Sequence, residues 1–318
     1  MLEKIADYIR NNKNIIEKEE LNSIVNFVST HSFKSSRIFS DIGQDSAAIK
    51  NDSEMYTLVT TDRIKTSYIE KFPFGAGFSS ILVGVDDIYA CGGTPLAATI
   101  IISFKEQKIG QKMIEGACNG SKKFKVPIIR GHTNTKEYYE LSSTLIGEIK
   151  SSDYISSNNA QINDNIILSV DFEGQIGKAS NLHWDTVTRK YSEDVLNKRA
   201  SMNNIARKHI VNSSKDISNG GIFGTILQLI KYSKVGADID IQKIIIPPTL
   251  IKKAYTLENY VQMYLTTSYI LTAPEDTCQE VLKIFSDHDM SAAVIGRVIY
   301  ESELKINDGK DSIKVIEF

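Results

Sequence analysis

The chain has 318 residues, too long for one ordinary core and enough for two domains that each bury a substantial interior. Its 37 basic and 39 acidic residues nearly cancel, which excludes a global field that would draw it to nucleic acid or an anionic membrane. Any anionic ligand must therefore be held locally. Cys91, Cys118 and Cys278 are odd in number, far apart and without a CxxC pair, which disfavours a disulfide framework or a zinc site and points to a reducing cytoplasm.

Glu3 and Asp7 stand where a secretory signal needs an unbroken apolar run, and the longest apolar stretch, around Leu96–Phe104, is far short of the roughly 20 residues of a membrane span. Residues 1–30 carry apolar positions at helical spacing (Leu2, Ile5, Ile9, then Leu21, Ile24, Val25, Val28), and the polar run Asn11–Asn14 divides them into two short helices. Short strands follow at Ser46–Ile49 and Met55–Thr61, the second stopping at Asp62, whose carboxylate then points into a loop.

Gly77–Cys91 places Ile81, Leu82, Val85, Ile88 and Tyr89 on one helical stripe, and Gly92-Gly93 supplies the stop. A strand over Leu96–Phe104, a helix over Gly110–Phe124 and a strand over Val126–Ile129 lead to a loop, Arg130-Gly131-His132-Thr133, and Leu141–Ile149 returns as a strand. The polar, aperiodic stretch Lys150–Asn163 marks a domain boundary, dividing the chain into residues 1–150 and 151–318. The second half reads as strand Asn165–Asp171, a helix near Glu193–His209, a glycine-rich turn Asp216–Gly221, helix Ile222–Tyr232, strand Tyr269–Ala273, helix Glu275–His288 and strand Ala293–Tyr300. Strands and helices in irregular order predict an α+β fold and not a doubly wound sheet.

Four places combine carboxylates or small polar residues with turns: Gly43-Gln44-Asp45-Ser46-Ala47, Thr60-Thr61-Asp62, Asp86-Asp87 and Gly131-His132-Thr133. Asp45 or Asp62 alone reads most simply as a turn or cap residue. The helix says more, because about 100° per residue sets Asp87 nearly opposite the apolar stripe, in line with Ser80, Gly84 and Cys91. Such a small-residue face admits another backbone or a ligand; a solvated Asp beside a tight helix contact is the plain alternative, and Asp86, bordering the stripe, could be a structural partner. If the carboxylates converge, they suit Mg²⁺, which takes oxygen ligands from one or two carboxylates plus substrate phosphates. Without metal they repel one another.

In the second half, Lys215-Asp216-Ile217-Ser218-Asn219-Gly220-Gly221 leads into a helix, with Ser218 or Asn219 as N-cap, and its free amides favour a phosphate or a substrate anion; a simply capped helix fits equally well. No GxxxxGK[ST] loop or GxSxG elbow is present, and Gly75-Ala76-Gly77 follows a Pro-containing segment, which disfavours a dinucleotide fold. Trp184, the only tryptophan, reads as core or interface material.

Taken in order, these segments resemble the aminoimidazole-ribonucleotide synthetase-like (PurM-like) superfamily, which also contains thiamine-monophosphate kinase, selenophosphate synthetase and a hydrogenase-maturation protein. The family's GDDAA element resembles Gly43–Ala47, its STD element Thr60-Thr61-Asp62, and its N-x-D-I-A-A-M-G-G-x-P element Val85–Pro95. Its GG[DEH][TS] loop resembles Arg130–Thr133 and its DIS-x-G-G/L turn Asp216–Gly221. The resemblance implies a two-domain PurM-like α+β fold, a homodimer joined through N-terminal strands, and ATP with Mg²⁺ beside that interface. It carries metal binding to Asp45, Asp62 and Asp87, and nucleotide or substrate contacts to Gly43, Gly131, Thr133, Ser218, Asn219 and Gly220. His132 and Asp216 are the residues it offers for catalysis.

Gln44, Arg130 and Asn219 depart from the family pattern and weaken a thiamine-monophosphate kinase reading. There is no N-terminal Cys with a Lys-containing glycine loop of the selenophosphate type, and the chain ends Lys314–Phe318 without the hydrogenase-maturation cysteine. The second half looks most like the branch described only as related to aminoimidazole-ribonucleotide synthetase. The expected function is ATP- and Mg²⁺-dependent phosphoryl transfer to, or activation of, a small molecule. The alternatives are a nucleotide-binding sensor or subunit without turnover, and a thiamine-monophosphate kinase-like activity.

Overall fold

Alternation along Met55–Arg63 and Glu140–Lys150 buries Tyr56, Leu58 and Thr60 on one strand and Leu141, Ser143, Leu145 and Gly147 on the other, which fixes the sheet face that meets the helices. The computed structural model describes residues 1–20, 22–41, 43–51 and 54–318; Leu21, part of the expected apolar spacing, lies outside the described residues. Helical segments α1 (Leu2–Asn11), α2 (Lys13–Glu20) and α3 (Asn22–His31) open the chain, and the break expected in the polar run falls at Asn12, after which helix resumes at once.

The first sheet has the order β1-β2-β3-β6-β4-β5, built from β1 (Ile38–Ser40), β2 (Ala47–Lys50), β3 (Met55–Arg63), β4 (Thr94–Phe104), β5 (Ile128–Thr135) and β6 (Glu140–Lys150). Helices α4 (Thr66–Lys71), α5 (Pro73–Ala90) and α6 (Gln107–Phe124) lie between these strands in sequence. Helix α5 starts a turn earlier than its apolar stripe suggests, since Pro73 sits where a helix needs no N–H donor. Its backbone meets that of α6 directly: a Cβ on Gly77 would lie 1.9 Å from the Met113 carbonyl oxygen, and one on Gly116 2.0 Å from that of Phe74.

The second half holds β7 (Asn165–Val170), β8 (Gln175–Ile176), β9 (His183–Asp185), α7 (Ser192–Lys208), β10 (Ser213–Asp216), α8 (Gly221–Ser233) and β11 (Gly236–Asp240). It continues with α9 (Pro248–Lys252), α10 (Leu257–Tyr260), β12 (Tyr264–Leu265), β13 (Ser268–Ala273), α11 (Cys278–Asp287), β14 (Ser291–Ile299), β15 (Glu303–Asn307) and β16 (Ser312–Glu317). Seven strands form a mixed sheet, β10-β13-β7-β14-β11-β15-β16, and three short ones form β12-β9-β8. The fold is thus α+β. Trp184 is fully buried and donates its indole N–H to the Asp171 carbonyl, a core role.

The apolar interior does not follow the division at residue 150. One core joins α5 and α6 to Val195, Met202 and Ile205 of α7 and to Tyr269 and Leu271 on one face of the seven-stranded sheet. The other lies on the opposite face under α8, and Leu2, Ile5, Ala6 and Ile9 of α1 belong to it. Between the halves a buried charge pair crosses the seam: the Arg199 Nε donates to Asp86 Oδ1 at 2.8 Å, with the guanidinium over the Phe124 ring. Asp86 is therefore a structural partner. Removing one member strands the other in the interior, so Arg199→Met should lower stability in urea unfolding by about 3–5 kcal/mol, and Arg199→Met with Asp86→Leu should recover most of that loss.

Candidate functional site

Strand β3 continues through Asp62 to Arg63, with Asp62 paired to Ser143, so this carboxylate projects from a strand and not from a loop as its sequence position suggested. Thr60, two residues earlier on the same face, donates its hydroxyl to Asp87 Oδ2 at 2.5 Å. The small-residue side of α5 is what lets the sheet come so near. Ser80 is buried, its carbonyl accepts from the Ser143 hydroxyl, and a Cβ on Gly84 would meet Leu145 at 2.8 Å. The helix is consequently buried nearly all round, and the small-residue face, expected to admit another backbone or a ligand, is the one packed on β3 and β6.

Asp45 comes from the turn between β1 and β2, where Gly43 adopts φ +82° and a Cβ would collide with the Tyr232 ring at 2.6 Å. Its carboxylate is shared by two consecutive residues of edge strand β10. The Lys215 ammonium pairs with Oδ1, and the Asp216 N–H donates to Oδ2 at 3.1 Å. One oxygen each from Asp45, Asp87 and Asp216 lies within 4.8 Å of the others. Asp62 stands close enough to be the strongest charge acting on Asp87, ahead of Asp216 and Asp45.

Burial, and then the charges of Asp62, Asp216 and Asp45, push the Asp87 carboxyl well above the ordinary carboxylate range, against the lowering effect of the Thr60 hydroxyl. For Lys215, burial acts to lower the value, but Asp45 and Asp216 outweigh it and hold the ammonium charged. Burial, assisted by Asp45, likewise keeps the Cys91 thiol protonated beside the cluster. The donor set is carboxylate oxygen, which fits a hard divalent cation such as Mg²⁺ and not zinc.

The glycine turn closes the site from the second half. Gly221 has φ +66°, and a Cβ there would sit 2.3 Å from the Val261 carbonyl oxygen, so only glycine can begin α8 in this way. The N-cap is Gly220 without a side-chain cap, in place of the expected Ser218 or Asn219. The Ser218 carbonyl accepts from Gly221 N–H, and the Asn219 carbonyl accepts from the Asn14 side chain.

Arg130–Thr133 is part of β5 rather than a loop, because it pairs in parallel with β4: Gly131 opposite Ile100, His132 opposite Ile101, Thr133 opposite Ile102. His132 is exposed on the sheet edge, on the face turned away from α5, and three strand spacings, roughly 14 Å, separate β5 from β3. Within one chain, then, His132, Gly131 and Thr133 are not gathered with the carboxylates. Gln44 points elsewhere as well: its Oε1 accepts from the Ser157 N–H at 2.7 Å and from the Tyr154 and Ser156 hydroxyls, fixing the linker. Its departure from an acidic residue removes no donor from the cluster.

Two residues near the carboxylates were given no role from sequence, Lys215, read only as the head of the glycine-rich turn, and Tyr264. Lys215 is distinguished only by preceding Asp216 on a strand. Tyr264, on two-residue β12, gives no local signal; burial raises its phenol, and the charges of Asp86, Asp216, Asp87 and Asp62 add to that. Because Asp87 holds a proton in the folded state that an unfolded carboxylate releases near pH 4, the metal-free protein loses stability as pH rises through the raised value. Asp87→Asn should flatten that decline in metal-free thermal melts and raise the melting temperature above neutral pH by roughly 2–4 °C.

The chain matches the families described as AIR synthase related protein, N-terminal domain, over residues 43–149 and C-terminal domain over residues 168–309. An uncharacterised protein of Methanocaldococcus jannaschii, MJ0640, is 35% identical over 322 aligned positions that cover 100% of this chain and 97% of that one. A thiamine-monophosphate kinase of the same organism is 30% identical over 136 residues, 41% of this chain and 43% of that one. Among solved structures, AaThiL complexed with AMPPCP and TMP superposes with a TM-score of 0.68 at 19% identity, covering 93% of this chain and 97% of that one. T. maritima PurL complexed with ATP superposes at 0.71 and 12% identity over 88% of this chain, which spans about half (47%) of the PurL chain. Both domain matches in their order, with a relative alike from end to end, make this chain a member of the AIR synthase related family within the PurM-like superfamily.

Proposed function

We propose that the protein binds ATP with Mg²⁺ and transfers a phosphoryl group to, or activates with ATP, a small-molecule acceptor. The observation that carries this reading is the convergence of Asp45, Asp87 and Asp216 oxygens within 4.8 Å, with Asp62 beside them, at the seam of the two halves. Asp45, Asp62, Asp87 and Asp216 would hold the ion, which when bound neutralises charge on the nucleotide's phosphates. The protein's own part is positioning: β3 and α5 aim carboxylates from one side, while the Ser218–Gly220 turn offers backbone amides to an anion from the other.

Support also comes from relatives named as a thiamine-monophosphate kinase and from similarly folded proteins complexed with ATP or AMPPCP. A thermal-shift screen of nucleotides with and without Mg²⁺ tests it: ATP·Mg²⁺ at 100 times its Kd should stabilise by about 2.7 kcal/mol. In calorimetry Asp62→Asn and Asp87→Asn should each weaken ATP·Mg²⁺ binding at least tenfold, and parental affinity in both would end the proposal. Binding without product formation across a phosphoryl-acceptor panel would favour the sensor reading.

His132 and Thr133 enter this scheme through a second subunit. Edge strand β5 and its neighbour expose Ile129 (62%) and Ile101 (47%), apolar side chains suited to a homodimer contact along the sheet. Ile101→Lys should then shift the protein to a monomer in sedimentation velocity.

A further inference from the structure

We propose that Lys215 is a resident counter-cation that competes with the divalent ion for Asp45, so that metal entry and release of Lys215 form a single exchange. The inference rests on the metal-binding reading above and goes beyond it. Asp45 is one of the three clustered carboxylates, yet both of its oxygens are already engaged, Oδ1 by the Lys215 ammonium and Oδ2 by the Asp216 N–H. The pair is well shielded, with side-chain exposures of 9% for Lys215 and 2% for Asp45.

The two bonds to Asp45 differ in kind. The Asp216 amide is fixed in the backbone of β10, where Asp216 pairs with Tyr269 of β13. The ammonium sits at the end of four methylenes and can leave without disturbing the strand. A divalent ion drawing on Asp45 puts two like charges on one carboxylate, and only the lysine can yield. Once released, the ammonium, with three donors, remains on β10 next to Asp216 and the turn that follows it, and can pair with a ligand phosphate. Lys215 thus links cation binding to polyphosphate binding as a positioning residue.

Mn²⁺ alone serves as the probe, followed by electron paramagnetic resonance on the full-length, metal-stripped protein. Lys215→Met should bind Mn²⁺ at least tenfold more tightly than the parent. Equal or weaker binding in a folded variant overturns the exchange while leaving the metal site standing; absence of Mn²⁺ from both proteins overturns the metal site and the exchange together. If Lys215→Met does not fold, parental crystals soaked in Mn²⁺ decide the matter. An anomalous peak at the cluster with Lys215 Nζ withdrawn beyond hydrogen-bond reach of Asp45 supports the exchange, and a peak with the pair intact refutes it.

Discussion

Carboxylates brought together in a poorly hydrated seam oppose folding, and much of this architecture serves to hold four of them there, with Asp87 kept protonated by burial and by the charges of its neighbours. Asp62 stands on a strand, Asp87 on a buried helix, Asp45 in a glycine turn and Asp216 at the end of a strand from the other half. None could drift apart without unpacking an element. The Thr60 hydroxyl and the Lys215 ammonium moderate the repulsion.

The seam is also where buried polar bonds join the two halves. Asp86 and Asp87 are consecutive on α5 yet do opposite work, one locked to Arg199 of α7 and accepting from the Thr267 backbone, the other facing the carboxylates. Ser214 adds a bond from β10 to the Ala90 carbonyl at the end of α5, and Gln44 fastens the linker. Rigid supports of this kind fix site groups more closely than mobile loops do, and they suit chemistry that depends on placement and charge.

The long amphipathic elements were legible from sequence: α6, α7, β4 and β6 fall within a few residues of their periodic segments, since burial on one face imprints a period, while α8 and β13, buried nearly all round, stood out as apolar runs. So were the carboxylates, through ordered motifs. Only the start of edge strand β5 was read, at Val126–Ile129, because Gly131 and an exposed histidine read as loop until β4 supplies a partner. The short strands β8, β9 and β12 carry too few residues to show any alternation, and Tyr264 with them. The close approach on the small face of α5 was legible from its glycine and serine, but which element fills it, the sheet through β6, was not.

Helix α1 gives the second half a dependence on residues far from it in sequence. Arg10 donates to the Val315 and Lys314 carbonyls of β16, across 305 and 304 positions, while Ile5 and Ile9 fill the core beneath α8. A fragment beginning at the linker would therefore carry an open apolar slot where that helix belongs. Closing so large a loop is also slow in chain-entropy terms, so the second unit reaches its final packing only when the earliest segment returns to it.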